Sequence, residues 1–493
     1  MKDYILSIDQ STSATKAFIF NKDAEIIASV SIAHKQIYPQ EGFVEHDPME
    51  IYDNVCASIS QVITQANINV SSIAALSISN QRETCVVWNK KTGLPIYNAI
   101  VWQCNRSKEI CASLVDKKEI IKSRTGLVLS PFFPAGKISW ILQNITAAQQ
   151  LIDEKNLLCG TIDSWLIWKL SGGKHLTDYT NASRTQLFNI HTLNWDNEIL
   201  NFFDIPLDIM PSVHYSDEVF ATTLINGHEV PIIGVMGDSH AALFAQNCYT
   251  SGEAKVTYGT GSSVMMNIGT EAIQSKNGIV TSIGFSCNEK VQYVFEGNIN
   301  STGATISWLS DNLGISPVDK FEKLAMSVPS NLGVCIVPAF TGLGAPYWDS
   351  DAKACITGLT FGAGKEHIAR AGLESIAFQI ADIIDAMLKD SNFDLKELRV
   401  DGGPTVNRFL MQFQSDILKA NITTNRISEL SAAGSMLMAG LTLGFWNDID
   451  DLRRLRKVGD TYSSHMGGEK RSDLRAQWRK AVSMAHYRDE APL

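Results

Sequence analysis

The sequence predicts an α/β protein made of two related domains, and three observations carry that prediction. Two segments share one plan: a short apolar run, a turn of small hydroxyl-bearing residues, and a second apolar run. The first opens the chain and the second begins almost halfway along it. Elsewhere, apolar runs end in turns that lead into helical patterns, as alternating strand and helix units do. The chain has 493 residues, and at about 150 residues per domain that is roughly two to four domains.

Taken in order, Tyr4-Ile5-Leu6-Ser7-Ile8 reads as a strand. Asp9 to Lys16 reads as its hydroxyl-rich turn, and Ala17-Phe18-Ile19-Phe20 as the hairpin partner. Asp47-Pro48-Met49-Glu50 offers an N-cap, a proline at the first helical position and a capping glutamate. Tyr52, Val55, Ile59 and Val62 follow at helical spacing. Ile73 to Ser79 reads as a strand with Gln81-Arg82-Glu83-Thr84 at its end. Ile232 to Gly237 is an apolar run with the carboxylate of Asp238 at its tip. Ala254 to Tyr258, Gly259-Thr260-Gly261-Ser262 and Val264-Met265-Met266 repeat the opening hairpin. Leu398-Arg399-Val400 leads through Asp401-Gly402-Gly403 into a helix bearing Phe409, Leu410, Phe413 and Ile417. Such a strand, turn and helix present backbone N–H groups to an anion. Ser431 to Trp446 is uncharged and contains Gly440 and Gly444. It falls short of the roughly 20 residues a membrane span needs and reads as a buried helix.

Composition narrows the function. Apolar residues make up 45% and charged residues 19%, which is a folded chain and not a disordered one. The net charge is 42 − 52 = −10, with no broad basic footprint for nucleic acid. That balance does not exclude a small anionic ligand, for which a few local cations and backbone N–H groups suffice. The nine cysteines are scattered and form no C-x-x-C pair, the pattern of reduced thiols in a cytoplasmic protein. Met1-Lys2-Asp3-Tyr4 is not followed by an apolar signal region, so a soluble cytoplasmic protein is expected.

The turns at Ser11-Thr12-Ser13, Gly259-Thr260-Gly261 and Gly402-Gly403 each leave room for a phosphate to approach backbone amides. None is a P-loop. With Asp9 directly after a β-run they favour a nucleotide–Mg²⁺ site, because Mg²⁺ is held by one or two carboxylates plus phosphate oxygens. Arg82 and Glu83 read either as a surface ion pair or as donor and acceptor for a ligand. Trp102 reads as core or as a stacking wall, and Asp238 as a helix cap or a reacting carboxylate. The ten histidines show no metal-ligand spacing, and His240 reads as a structural residue at a helix start. Arg453-Arg454-Leu455-Arg456-Lys457 reads as a solvated helix face.

These residues lie within longer runs: GFVEHDPMEI (42–51), NQRET (80–84), PIYNAIVWQC (95–104), FFPAGKISW (132–140), TDYTNASRT (177–185), LFNIHTL (187–193), VPAFTGLGAPYWD (337–349) and FLMQFQSDIL (409–418). Over nearly its whole length the chain resembles the glycerol-kinase branch of the FGGY carbohydrate-kinase family, within the actin/hexokinase/Hsp70-like ATPase superfamily. The resemblance implies two actin-like (ribonuclease H-like) α/β domains, 1–247 and 248–493, around an interdomain cleft. It implies ATP- and Mg²⁺-dependent phosphorylation of a terminal hydroxyl of glycerol, by a cytoplasmic homodimer or homotetramer. Asp9 would support Mg²⁺. Thr12, Ser13, Ala14 and Lys16 would meet the ATP phosphates. Thr260, Gly303, Ser307, Gly403 and Asn407 would hold the nucleotide. Arg82, Glu83, Trp102 and position 132 would hold the polyol, and Asp238 would be the general base.

Departures from the family cluster in the polyol pocket. Phe132 stands where the family carries Tyr, Ser239 where Gln is usual, and Ser263 where a Phe packs on the glycerol carbons. A site built to bond a hydroxyl discriminates strongly, so these changes bear on specificity, and a tetritol or ketopentose is the alternative substrate. Ser11 replaces a Gly, Ser307 a Gln, and Lys16 an Arg, which keeps the charge but loses the bidentate fork. Thr223 to Val230 reads as a short loop without the features that bind fructose bisphosphate or carry a phosphorylated histidine in some relatives. The alternative of another class is a catalytically silent nucleotide sensor, which the retention of Asp9 and Asp238 opposes.

Overall fold

The computed structural model describes residues 2–314, 319–427 and 429–486; Met1 lies outside them. Two mixed sheets form its frame. The first has six strands in the spatial order Val219–Ile225, His228–Gly237, Ile73–Asn80, Tyr4–Gln10, Ala14–Phe20, Ile26–Ala33. Tyr4–Gln10, Ile73–Asn80 and His228–Gly237 run parallel. Parallel strands are covered on both faces, which is why Ile73-Ala74-Ala75-Leu76 is a continuous apolar run. Every residue of Ile73–Asn80 is buried.

The second sheet has seven strands, ordered Val280–Cys287, Lys290–Ile299, Ser262–Gly269, Ala254–Tyr258, Glu397–Asp401, Asn421–Asn425, Val458–Tyr462. Ala254–Tyr258, Glu397–Asp401 and Asn421–Asn425 are its parallel trio. Each sheet thus joins an antiparallel arm to a parallel trio through the first strand of its hairpin, so the two halves repeat one topology. The opening hairpin is longer than its apolar runs imply. Its strands reach Gln10 and resume at Ala14, leaving Ser11-Thr12-Ser13 as the turn. Asp9, Gln10 and Thr15 are polar but buried in strand, because they border the site and not bulk solvent.

Helix Pro48–Ala66 covers the antiparallel arm with Ile51, Val55, Ile59 and Val62, and Asp47 caps it by accepting from Met49 N. The expected capping role of Glu50 is corrected: its Oε1 accepts from Lys35 N at 3.1 Å, a tertiary partner that displaces the local one. A small four-stranded sheet, Glu45–His46, Ala99–Ile100, Cys85–Asn89 and Leu157–Thr161, is inserted in the first half and flanked by helix Pro134–Asn144. Thr223 to Val230 is no loop but a hairpin, turned by Asn226 (φ 48°) and Gly227 (φ 80°), the left-handed pair a two-residue hairpin demands. The basic run is solvated only in part: Arg454 and Lys457 are exposed, whereas Arg453 and Arg456 turn inward. Arg453 meets Glu253 and lies over the Tyr249 ring, Arg456 donates to Thr423 Oγ1, and Lys457 reaches Glu25.

The halves share a core. Helix Leu430–Thr442 follows the last parallel strand of the second sheet, yet its Leu430, Ala433, Met436 and Leu437 pack with Ile5, Phe18, Ala75 and Ile233 of the first. Ser7 Oγ donates to Ala432 O at 2.9 Å and lies 3.1 Å from Ser435 Oγ. The same helix crosses Asp238–Ala245 at Gly434, where an added Cβ would sit 1.8 Å from Ala241 O. Gly434→Ala is therefore expected to destabilise by about 2–3 kcal/mol, since two backbones must part to admit one methyl group. Equilibrium denaturation checks it, and a loss below 0.5 kcal/mol (about the scatter of surface substitutions) would show that the crossing yields freely. Gly440 packs against the ring of Trp446 of the same chain, as expected of a buried helix. No helix among the described residues is long and apolar enough to cross a membrane.

Candidate active site

In open α/β sheets, ligands bind beyond the carboxyl ends of the parallel strands. Three such ends carry Asp9, the run Gln81-Arg82-Glu83 and Asp238. Asp9 is buried, and its Oδ1 accepts from Ser79 Oγ at 2.6 Å. Burial pushes its carboxyl up to about 6, against the Ser79 hydrogen bond and with Asp238 adding to the rise. The second half carries the same device with the roles exchanged: Asp401 Oδ1 accepts from Thr257 Oγ1 at 3.1 Å, on the strands that correspond to those of Ser79 and Asp9.

Arg82 and Glu83 do not pair with each other, and neither is a surface residue. Arg82 Nε donates to Asp238 Oδ1 at 3.1 Å, and Nη1 donates to both oxygens of Glu296, at 2.9 and 2.8 Å. Glu83 Oε1 accepts from Arg184 Nε at 2.6 Å, and Arg184 Nη1 lies 3.0 Å from Glu296 Oε2. Burial alone would raise the Glu296 carboxyl. Arg184 and Arg82, with His240, overcome it and hold Glu296 well below the usual carboxylate range. Arg184 and Glu296 were missed in the sequence. The available signal was a lone carboxylate in the apolar run Tyr293-Val294-Phe295-Glu296. Asp238 is the exposed member, with 33% of its side chain accessible, and it opens helix Asp238–Ala245 by accepting from Ser239 N. His240 is buried two residues further on, where burial, with Arg82 beside it, holds it far below the usual imidazole range.

Trp102 bridges two groups of residues. Its Nε1 donates to Thr12 Oγ1 at 3.0 Å, and its ring meets Phe132 edge-on with centroids 5.6 Å apart. Trp102 and, through it, Phe132 are thus joined to the opening turn, while Arg82, Glu83 and Asp238 are linked to one another through Glu296 and Arg184. Ser13 is exposed at that turn and Ala14 begins the next strand. Lys16 is engaged elsewhere, its Nζ 2.8 Å from Glu429 Oε2.

In the second half, Gly303 opens helix Gly303–Leu313 and donates to Gly259 O at 3.0 Å, while Thr302 N donates to Thr260 O at 2.9 Å. Ser307 lies one turn further along that helix and is exposed. Gly402 has φ 100° and passes so close to Tyr258 that a Cβ would sit 1.9 Å from its carbonyl oxygen, whereas nothing lies within 4 Å of a Cβ at Gly403. The turns at Gly259, Gly303 and Gly402 therefore form one backbone-lined wall open at Gly403. Asn407 Oδ1 caps helix Arg408–Leu418 through Leu410 N, so the helix starts after a further 3₁₀ turn and not at the glycines. Ser263 lies opposite Asn298, whose Nδ2 donates to Glu296 Oε1 at 3.0 Å; the Ser263 hydroxyl is buried without a protein partner.

Known proteins share this architecture. Residues 4–245 match the N-terminal domain and 254–443 the C-terminal domain of the FGGY family of carbohydrate kinases. The chain is 47% identical to a glycerol kinase of Geobacillus sp. (strain WCH70) over 98% of its own length and 99% of the relative's. It is 46% identical to glycerol kinase 1 of Clostridium tetani, over 98% of each chain. The crystal structure of Plasmodium falciparum glycerol kinase with ADP superposes with a TM-score of 0.93 at 36% identity, covering 98% of both chains. A ligand-bound xylulose kinase from Lactobacillus acidophilus, at 22% identity and a TM-score of 0.89 over 98% of each chain, shares the fold.

Proposed function

Because the chain belongs to the FGGY family of carbohydrate kinases, we propose that it transfers the γ-phosphoryl group of ATP to a terminal hydroxyl of glycerol, giving glycerol 3-phosphate and ADP. One observation supports the reading above the rest: a partly exposed carboxylate, Asp238, is tethered by Arg82 to a buried ionic network that joins the two halves. Phosphoryl transfer passes through a loose transition state, so the protein's work is alignment and charge neutralisation. Asp238 orients the acceptor hydroxyl and takes its proton late in the transfer. Arg82 and Glu83 offer donors and an acceptor to the neighbouring hydroxyls, and the Trp102–Phe132 pair covers the carbons.

Thr12, Ser13 and Ala14 meet the phosphates from the first half, while Thr260, Gly303, Ser307, Gly403 and Asn407 hold the nucleotide from the second. Lys16 joins them by leaving Glu429. That pair is about 30% exposed, and an exposed ion pair of this kind is worth roughly 0–1 kcal/mol. Asp9 suits Mg²⁺, since a buried carboxylate pushed up to about 6 with a single hydroxyl donor is relieved by a cation. When bound there, Mg²⁺ neutralises phosphate charge. The nine cysteines, all free thiols, fit a reducing compartment such as the cytoplasm.

A coupled ADP-release assay with Mg-ATP tests the reading across glycerol, erythritol, threitols, dihydroxyacetone and pentuloses. The highest kcat/KM is expected on glycerol, and absence of turnover on all of them overturns it. A preference for a larger polyol would trace to Phe132, Ser239 and Ser263, the last with its buried, unpartnered hydroxyl.

Asp9→Asn separates function from stability. A carboxyl raised in the folded state costs stability as pH climbs from its ordinary 3.8 through about 6, and the full cost persists above that. Asn keeps the bond to Ser79 without the charge. The variant is expected to gain about 2 kcal/mol at pH 8, none below pH 4, and to lose at least about 10²-fold in kcat. Denaturation at the two pH values checks the sign, and a variant less stable at pH 8 sinks the argument.

A further inference from the structure

We propose that Lys137 is a positioning residue that holds the acceptor pocket in shape by binding the main-chain carbonyls of Glu83, Trp102 and Phe132. The proposal rests on reading those three residues as walls of the polyol site. Lys137 lies in the first turns of helix Pro134–Asn144 and is completely buried. Its Nζ is 3.3 Å from Glu83 O and 3.4 Å from Trp102 O, and it also donates to Phe132 O. An ammonium group has three donors and no acceptor, so the three carbonyls complete it. They belong to three separate segments: the turn after strand Ile73–Asn80, the segment after strand Ala99–Ile100, and the approach to the helix itself.

The convergence is specific to the pocket. Glu83 adopts φ 61°, left-handed for a residue with a Cβ, and that conformation turns its carbonyl toward Lys137 while its carboxylate meets Arg184. Each end of Glu83 is therefore fixed by a buried cation. The ring of Phe132 is held as well, lying 5.9 Å from Nζ and edge-on to Trp102. Burial pushes Lys137 down to about 8, while Cys85, Glu83, Cys104 and Cys111 around it act the other way.

Lys137 binds three walls of the polyol site and none of the nucleotide residues, of which only Thr12 touches one of those walls, through Trp102, so its loss falls on glycerol first. The test is Lys137→Met, which keeps the stem and removes the three donors, with KM measured separately for glycerol and Mg-ATP. The glycerol KM is expected to rise by about 10²-fold, because displacing substrate-holding groups by an ångström has effects of that order, with the Mg-ATP KM within about twofold. Equal changes in the two KM values, or a glycerol KM within about threefold of wild type, overturn the proposal.

Should the variant not fold, the wild-type enzyme decides. Between pH 7.5 and 9.5, Lys137 loses a proton, leaving two donors and a lone pair among three carbonyls. Of the groups facing it, Cys85 is pushed up to about 12 and Cys111 to about 11 by burial, so neither titrates in that window. Glu83 faces it through its main-chain carbonyl, and Arg106, which donates to Cys104 Sγ, is held above its ordinary range against burial by its bonds to Cys104 and Glu45 and stays charged. The glycerol KM is expected to rise at least about fivefold across this range while that of Mg-ATP holds, and a flat glycerol KM overturns the proposal. Wild-type enzyme that turns over no polyol at all overturns both the functional reading and this one. Wild-type turnover with an unaffected Lys137→Met variant overturns this one alone.

Discussion

Replacing Asp238 with Asn is expected to lower kcat by about 10³-fold while the glycerol KM moves only a few-fold. A positioned general base contributes roughly 10²–10⁴ in rate, and the amide cannot accept the acceptor's proton. What it can do is keep the geometry. Arg82 Nε and Ser239 N both donate to Asp238 Oδ1, and an Asn oxygen in the same place accepts both bonds. The start of helix Asp238–Ala245 and the anchoring of Arg82 therefore survive the change, and the melting temperature is expected to stay within about 3 °C of wild type. Single-turnover kinetics with Mg-ATP and glycerol make the measurement. A fall in kcat below about tenfold would remove Asp238 from the role of base.

Glu296→Gln is expected to be among the most damaging changes to stability, at about 3–5 kcal/mol, because it leaves two buried arginines without their shared counter-charge. At roughly 2–4 °C per kcal/mol, that is a fall of about 10 °C in melting temperature. Activity should fall as well, since Arg82 loses the bonds that aim it at Asp238. Glu296 is held well below its ordinary 4.5 despite burial, by Arg184 and Arg82, so its contribution is present at neutral pH and lost as pH falls from about 4.5 downward. The gap between wild type and variant should therefore narrow in acid. Denaturant titrations at pH 7 and pH 4 test both statements, and a loss below 1 kcal/mol at pH 7 would mean that solvent or a neighbouring group replaces the carboxylate.

Local chemistry was legible in the sequence, and long-range pairing was not. The two hairpins, the Asp47 cap and the buried helix after Ser431 follow from short-range patterns of apolar spacing and turn residues, and the structure has them all. Arg82 and Glu83 could be singled out at a strand end, but their partners lie on distant segments: Glu296 is 214 residues from Arg82, and Arg184 is 101 from Glu83. No spacing rule spans such gaps. The same cause explains Glu50, drawn from its helix to Lys35 N, and Lys16, which meets Glu429 across 413 residues. Within the run from Arg453 to Lys457, Arg453 and Arg456 turn inward because Glu253 and Glu397 come from other segments of the chain, while Arg454 stays exposed beside Asp451 of its own helix.

The shared core also sets an order of events during synthesis. The first sheet is complete once strand His228–Gly237 has left the ribosome, but the helix that covers part of it, Leu430–Thr442, is made roughly 190 residues later. At roughly 5–20 residues per second, that is a delay of about 10–40 s. Through that interval the nascent chain carries Ile5, Phe18, Ala75 and Ile233 without Ala433, Met436 and Leu437 against them. The first half therefore leaves the ribosome with part of its apolar surface uncovered, the kind of surface that favours aggregation. A ribosome that stalls before residue 430 releases a polypeptide fit for degradation and not a working half-enzyme.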